Sequence, residues 1–343
     1  MQQITRVGLA LWLAMVLAAC TGVTQEGGQP PAAPLTRVRV CTSSSSMLST
    51  MSAYALEHGL FAQHGLNVSL QAIGGGPNAT VALIAGEADI CEIASPAVVN
   101  AALAGEDLVF VAGYGDRLTY WLMVNPEIES ADDLRGKSLA VSGPGSGSDT
   151  ILRMMLETLG LEPDVDVTIL SIGGNPERLA AMESGAVAGT VMSLPESARA
   201  ESMGYRVLLA PTDMNVDYQA AAVTTQRSYL EENRPAVAAY VAAVTEAIAR
   251  MKADRESATA VMVAELDLDP VADRALLEVA YEQFVIDYLS EKPYPSVPGI
   301  QSLIDEARLE NPTARELSAD NIIDASIVAE LDESGFIDRL YGR

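Results

Sequence analysis

Along the body of the chain, hydrophobic positions follow two alternating periods. Short β-branched runs at Val38 to Cys41, Leu66 to Ile73, Ala88 to Ile93 and Leu108 to Ala112 are separated by stretches with helical spacing. After a turn at Asn125-Pro126 a second series follows, at Ser138 to Ser142, Val165 to Ile172, Val187 to Met192 and Val207 to Leu209. Strands that alternate with helices build parallel sheets covered by helices. The pattern therefore predicts an α/β protein of two lobes, each a mainly parallel sheet flanked by helices. Thr119 to Asn125 and Tyr218 to Thr225 have strand composition and fall at the junctions, so the chain is expected to cross between lobes twice, on two strands that act as a hinge. From Gln226 onward the pattern changes to long helices. Arg234 to Lys252 places Val237, Tyr240, Val241, Val244, Ile248 and Met251 at three- and four-residue spacing, and Ala272 to Tyr288 reads the same way. These helices are expected to pack back on the first lobe. Lobe 1 is then discontinuous, residues 37–117 plus 226–343, and lobe 2 is 118–225 with the hinge strands. No repeat of solenoid period is present.

The N-terminal segment is of another kind. Arg6 is the only charged side chain among the first nineteen residues, and Val7 to Leu17 is an apolar run of the length of a secretory h-region, too short to span a bilayer. It leads into Leu17-Ala18-Ala19-Cys20, which resembles the lipobox of bacterial lipoproteins. That resemblance implies a signal peptide over 1–19, cleavage before Cys20, and fatty acyl chains such as palmitate on the Cys20 thiol. They would anchor the protein on the extracytoplasmic face of the cell membrane, periplasmic or extracellular. Residues 20–36, rich in Pro, Gly and Gln, cannot bury enough apolar surface to fold and read as a flexible tether.

Forty-six acidic against twenty-one basic residues give a net charge of −25, which excludes a nucleic-acid surface built on clustered Lys and Arg. The acid is spread along the chain, as on a solvated surface. Apart from Cys20 only Cys41 and Cys91 are present, too few for a disulfide scaffold. Buried free thiols are the expectation for strand cysteines of this kind. Export permits a disulfide between them as the alternative.

Several phrases share an order and spacing with a known family. Ala55 to Val68 reads as a helix ended by Gly59, a second glycine at Gly65 and a strand; Gly74-Gly75-Gly76 is followed by Ala82-Leu83-Ile84-Ala85-Gly86-Glu87-Ala88-Asp89-Ile90. Ala131 to Val141, Leu179 to Gly185 and Ser193-Leu194-Pro195 continue the series. From about Arg37 to the C-terminus, with weaker detail beyond Gln226, the chain resembles the binding proteins of ABC importers for nitrate, aliphatic sulfonates, taurine and the thiamine pyrimidine. The resemblance implies the periplasmic binding protein type II fold, whose two lobes close on a ligand.

Candidate binding residues follow from the loops at strand C-termini, where open α/β sheets place ligands. Ser142 to Asp149 contains Gly145, Ser146, Gly147 and Ser148, a flexible backbone with hydroxyl and helix-start amide donors, or alternatively a helix cap. It lacks the Gly-Lys-Ser/Thr of a phosphate-binding loop. The polar run after the first strand supplies Ser44, Ser45 and Met47; Gly75, Asn78, Ser95, Pro96 and Ser193 come from the other loops. The triple glycine fails the dinucleotide spacing. Tyr114, Tyr120, Trp121 and Tyr218 fall beside the junctions, and of these Tyr114, Trp121 and Tyr218 are candidates to stack on a flat ring, with hinge packing as the alternative. Arg117 is the one cation recognised there, placed to pair with a ligand or with Asp116. His58 and His64 lack a cysteine or carboxylate cluster, so no metal site is expected.

The sequence thus reads as a monomeric solute-binding lipoprotein of an ABC importer, not an enzyme and without a cofactor. Its partners would be a small-molecule ligand, the permease and the membrane through lipid on Cys20, with no nucleic acid. A pyrimidine-like ring or a sulfonate- or nitrate-like ion both fit, and the scarcity of Lys and Arg favours an uncharged or weakly anionic organic solute. An enzyme on the same fold and a sensory lipoprotein are the alternatives. Radiolabelled fatty acid supplied to cells is expected to mark this chain, and Cys20→Ala to abolish the label; labelling that survives the substitution counts against the anchor.

Overall fold

The computed structural model describes residues 34–43, 46–214 and 216–343. The expected signal peptide, Cys20, the expected tether as far as residue 33, and the candidates Ser44 and Ser45 lie outside the described residues. The strands are β1 (Thr36–Thr42), β2 (Leu66–Ala72), β3 (Ile90–Ala94), β4 (Leu108–Gly113), β5 (Trp121–Val124), β6 (Ser138–Val141), β7 (Thr168–Ser171), β8 (Gly189–Met192), β9 (Arg206–Leu209) and β10 (Ala221–Gln226). They form two five-stranded sheets, ordered β2-β1-β3-β10-β4 and β7-β6-β8-β5-β9. In each sheet the strand in fourth place is antiparallel to its neighbours and the other strands are parallel. The edge strand β4 and the inner strand β8 are both buried at every residue, as expected where helices cover the sheets.

The two strands expected at the junctions are these fourth-place strands. The chain leaves the first sheet after β4 and enters the second as β5; it leaves the second after β9 and returns as β10 between β3 and β4. The two crossing segments are bonded to each other, Tyr218 N–H donating to the Asp116 carbonyl at 3.2 Å and Gln219 Nε2 to the Gly115 carbonyl at 2.9 Å.

A matching turn recurs in both sheets. The edge strand β2 ends in Ile73-Gly74-Gly75-Gly76-Pro77, and the edge strand β7 in Ile172-Gly173-Gly174-Asn175-Pro176. Each isoleucine amide donates to the neighbouring strand, to Thr42 O at 2.8 Å and Val141 O at 2.9 Å, and each proline sits in the first turn of the next helix, Gly76–Ile84 or Asn175–Glu183.

Three elements differ from the sequence pattern. The strand expected from Val165 begins only at Thr168, because Asp164 is in the left-handed region (φ 62°) and turns the chain so that Val165 is 70% exposed. The helix expected from Arg234 starts at Arg227 and runs to Ala253, kinked at Asn233 beside Pro235. Its predicted apolar positions, Val237 through Met251, are buried, and it packs on β4, β10 and the helix Thr50–Glu57. The helix expected over Ala272 to Tyr288 begins at Arg274 and becomes a π-helix from Tyr281 to Tyr288.

Cys41 and Cys91 are joined in a disulfide, which corrects the expectation of free thiols. The register places them opposite each other on the parallel neighbours β1 and β3, with Cα atoms 4.4 Å apart, within bonding reach. Alkylation of denatured, unreduced protein is expected to leave both cysteines unlabelled and reduction to expose both. Replacing the pair by alanine is expected to cost about 2–4 kcal/mol by thermal denaturation.

Candidate functional site

Loops from both sheets enclose a cleft of about 1120 Å³. Its walls come from the segments after β1 and β2, from Ala94 at the end of β3, from the segments after β6, β7 and β8, from both crossing segments, and from residues in 265–267 and 283–288. These strand-end contributions all lie at the C-terminal ends of their strands.

On the second sheet's side, the loop after β6 closes on itself. Ser148 Oγ accepts from Ser142 N–H at 2.9 Å and bonds the hydroxyls of Ser142 (2.9 Å) and Ser146 (3.0 Å). Ser146 caps the helix Gly147–Thr158, its Oγ accepting from Asp149 N–H at 3.3 Å. Ser146, Gly147 and Ser148 line the cleft. Gly145 does not; its amide donates to Asp149 Oδ2 at 2.7 Å, with φ at +69°.

The loops after β7 and β8 add a buried cation. Arg178, 2% exposed, lines the cleft in the first turn of the helix Asn175–Glu183. Its Nη2 donates to Asn175 Oδ1, whereas Nε and Nη1 have no hydrogen-bond partner among the described residues. Asn175 Nδ2 donates to Ser193 Oγ at 3.0 Å and Glu196 Oε2 at 3.3 Å. Burial lowers the Arg178 pKa, against the opposing pull of Tyr120 and Glu196; burial likewise raises that of Glu196. Two donors of one guanidinium left open at a cleft wall suit a small anion.

Of the other predicted residues, Met47, Gly75, Trp121 and Ser193 line the cleft. Asn78 does not, its Nδ2 donating to the Gly74 carbonyl at 2.6 Å. Ser95 and Pro96 open the helix Ser95–Ala104 and are buried behind the wall. Tyr218 is buried at the crossing without reaching the cavity. Tyr114 is taken up by the core. Its hydroxyl donates to Glu92 Oε1 on β3, a carboxyl that also receives Tyr240 OH at 3.0 Å and, on Oε2, Ser52 Oγ at 2.7 Å. Burial pushes the Glu92 pKa up to about 7, against these three hydroxyl bonds. Both histidines lie outside the cleft lining, His58 bonding Ser257 Oγ at 2.9 Å and His64 pairing with Glu246 at 2.8 Å.

Pattern reading missed Arg178, Asn175, Glu196, Thr119, Phe284 and Tyr288, which all line the cleft. The recurrence of Ile-Gly-Gly after both edge strands marked the loop that carries Asn175 and Arg178. Tyr288 had only its helical spacing, which pointed to the core.

Two sheets of this order, each completed by a strand from across the junction, with a cleft between their strand ends, define the periplasmic binding protein class of fold. Residues 49–258, more than half of the chain, match the family described as NMT1/THI5 like, and the chain belongs to that family. Among solved structures it is similar to the periplasmic aliphatic sulphonate binding protein of Escherichia coli: 22% identity, 86% of this chain and 99% of that one covered, TM-score 0.67. The alkanesulfonate-binding protein of Xanthomonas axonopodis pv. citri, bound to MOPS, is 19% identical over 85% and 99% with a TM-score of 0.71. The periplasmic nitrate-binding protein of Synechocystis PCC 6803 is 14% identical over 88% and 89% with a TM-score of 0.68. No curated protein sequence matches the chain.

The Glu92 carboxyl makes stability depend on pH. An acid with a pKa of about 7 when folded and 4.5 as its ordinary value binds more protons in the folded state between those limits, so stability falls as pH rises through that window and the full cost is present above it. In Glu92→Gln the amide can donate to Ser52 Oγ, which frees the serine proton for the Ser49 carbonyl, 3.2 Å from that oxygen. Urea denaturation of this variant is expected to gain roughly 3 kcal/mol on wild type between about pH 5 and pH 8. Parallel pH profiles for the two proteins would refute the assignment.

Proposed function

We propose that the protein is the extracytoplasmic solute-binding component of an ABC importer and that it captures a small organic anion in the cleft. The observation that carries this reading is Arg178, nearly fully buried at the cavity wall with Nε and Nη1 unpartnered. A buried cation without partners is costly, and a bound anion offsets that cost. The similar structures of sulphonate- and nitrate-binding proteins agree with an anionic solute. Arg178 shifts the sequence expectation from an uncharged or weakly anionic solute to an anionic one.

In this reading the protein performs no chemistry. The first sheet, with β10 and the C-terminal helices, and the second sheet with its helices form two lobes that close on the ligand about the crossing segments. Ser146, Gly147, Ser148 and Ser193 line the cleft from the same sheet's loops as Arg178 and present the anion with hydroxyl and amide groups. Met47 and Gly75 line the cavity from the loops of the first sheet, and Trp121 lines it from the start of β5. Lipid on Cys20 holds the monomer at the membrane beside its permease, where high local concentration substitutes for tight docking.

Calorimetric titration with nitrate, short alkanesulfonates and short carboxylates is expected to find at least one binder. Arg178→Gln is expected to weaken it by about 1.5–3 kcal/mol, as for hydrogen bonds to a charged group, while leaving the melting temperature equal or higher. Folded wild type that binds none of these, or binding unaffected by Arg178→Gln, overturns the reading.

A further inference from the structure

Arg178 is not alone in presenting an unsatisfied buried group to the cavity. Tyr288, 6% exposed, and Thr119, 9% exposed, both line the cleft, and neither the Tyr288 hydroxyl nor Thr119 Oγ1 has a hydrogen-bond partner among the described residues. Most buried hydroxyls in folded proteins are bonded, so two open ones beside a cavity need an explanation. Tyr288 ends the π-helix Tyr281–Tyr288, a conformation enriched at functional sites. Its ring is packed against two neighbours. Phe284 stacks on it at 5.2 Å and 25°, and a Cβ on Gly115 would come within 2.7 Å of the ring atoms Cε2 and Cζ. The hydroxyl is therefore presented by a side chain with little freedom to turn elsewhere.

Tyr120, next to Thr119 in the chain, lines the cleft and stands within electrostatic reach of both Arg178 and Tyr288, so the two sets of open donors share one neighbour. We infer that the solute is bifunctional: an organic monoanion whose charged end binds Arg178 and which carries, at its other end, a neutral carbonyl or hydroxyl oxygen that accepts from Tyr288 and Thr119. This inference rests on the proposed capture of an anion at Arg178.

The chemistry of the second end follows from its surroundings. Burial raises the Tyr288 pKa, so the phenol stays protonated and offers a donor. Asp116 lies near that hydroxyl, and Asp287 and Asp217 also line the cleft. Arg117 is the cation on this side, and its Nη2 already donates to the Asp287 carbonyl. A second carboxylate would meet like charge here, whereas a neutral oxygen would not. Inorganic nitrate reaches one end only. In a cavity of about 1120 Å³ a longer organic acid has room to reach both.

The test titrates the intact protein with two matched series, linear carboxylates and alkanesulfonates of increasing length, each with and without a terminal hydroxyl or oxo group. At the length that spans the two subsites, the oxygenated member is expected to bind at least about tenfold more tightly than its plain counterpart, because a site built to hydrogen-bond an oxygen discriminates against the analogue that lacks it. Tyr288→Phe removes only the hydroxyl and is expected to bring the ratio towards one without weakening the plain acid. Thr119→Val serves as the second variant with the same readout, and Arg178→Gln is expected to weaken both series alike. Equal binding of plain and oxygenated members at every length, or a preference that survives both Tyr288→Phe and Thr119→Val, overturns the inference while leaving anion capture intact. Failure of every member of both series to bind folded protein overturns both.

Discussion

The fourth strand of each sheet is delivered from the other half of the chain. β5 can take its place between β8 and β9 only after the chain has left β4, and β10 can fill the gap between β3 and β4 only after the second sheet is complete. Backbone groups on both sides of each gap would otherwise be left without partners in the middle of a buried sheet, at a cost of order 1–3 kcal/mol for each group. The crossing segments are therefore obligatory, and they are short. Bonded to each other through Tyr218, Gln219, Gly115 and Asp116, they bring the loops at the strand ends of both sheets around a common cavity.

Electrostatically the protein is divided. With a net charge of −25, the bulk of its charge is acid. Many of its arginines are spent on exposed ion pairs such as Arg39 with Asp89 and Arg135 with Asp166, contacts worth little in water. Arg178 is the exception, withdrawn from solvent and bonded through one nitrogen to a neutral amide. Glu196 moderates its charge without a direct hydrogen bond to it. The same economy of burial appears on the first sheet, where Glu92 is surrounded by three hydroxyl donors and no cation, and its pKa moves towards neutrality.

The alternation of strand and helix in the sequence was sufficient to find the two sheets, the two crossings and the strand-end loops, because those depend on periodicity and turn chemistry. Side-chain direction was not legible in the same way. Tyr114 and Tyr218 have the composition of cleft aromatics, yet both point into packed interior, while Tyr288, which helical spacing assigned to the core, reaches the cavity because a π-helical stretch rotates the end of its element. Arg178 was hidden in an ordinary helical phrase, and its meaning depends on which neighbours it lacks. The pairing of Cys41 with Cys91 depends on strand register, which hydrophobic pattern alone does not set to the residue.

The repeated Ile-Gly-Gly turn puts the two halves in correspondence, residue by residue. Counting from Ile73 and Ile172, Ala79 in the first half corresponds to Arg178 in the second, and along the strands Cys41 and Cys91 correspond to Ala140 and Thr190. At equivalent points of one architecture, then, the first half spends its positions on a covalent tie beneath a small side chain, and the second on a charge beside uncrosslinked strands. Mutational tolerance at matching positions should therefore differ in kind: steric in the first half, electrostatic in the second.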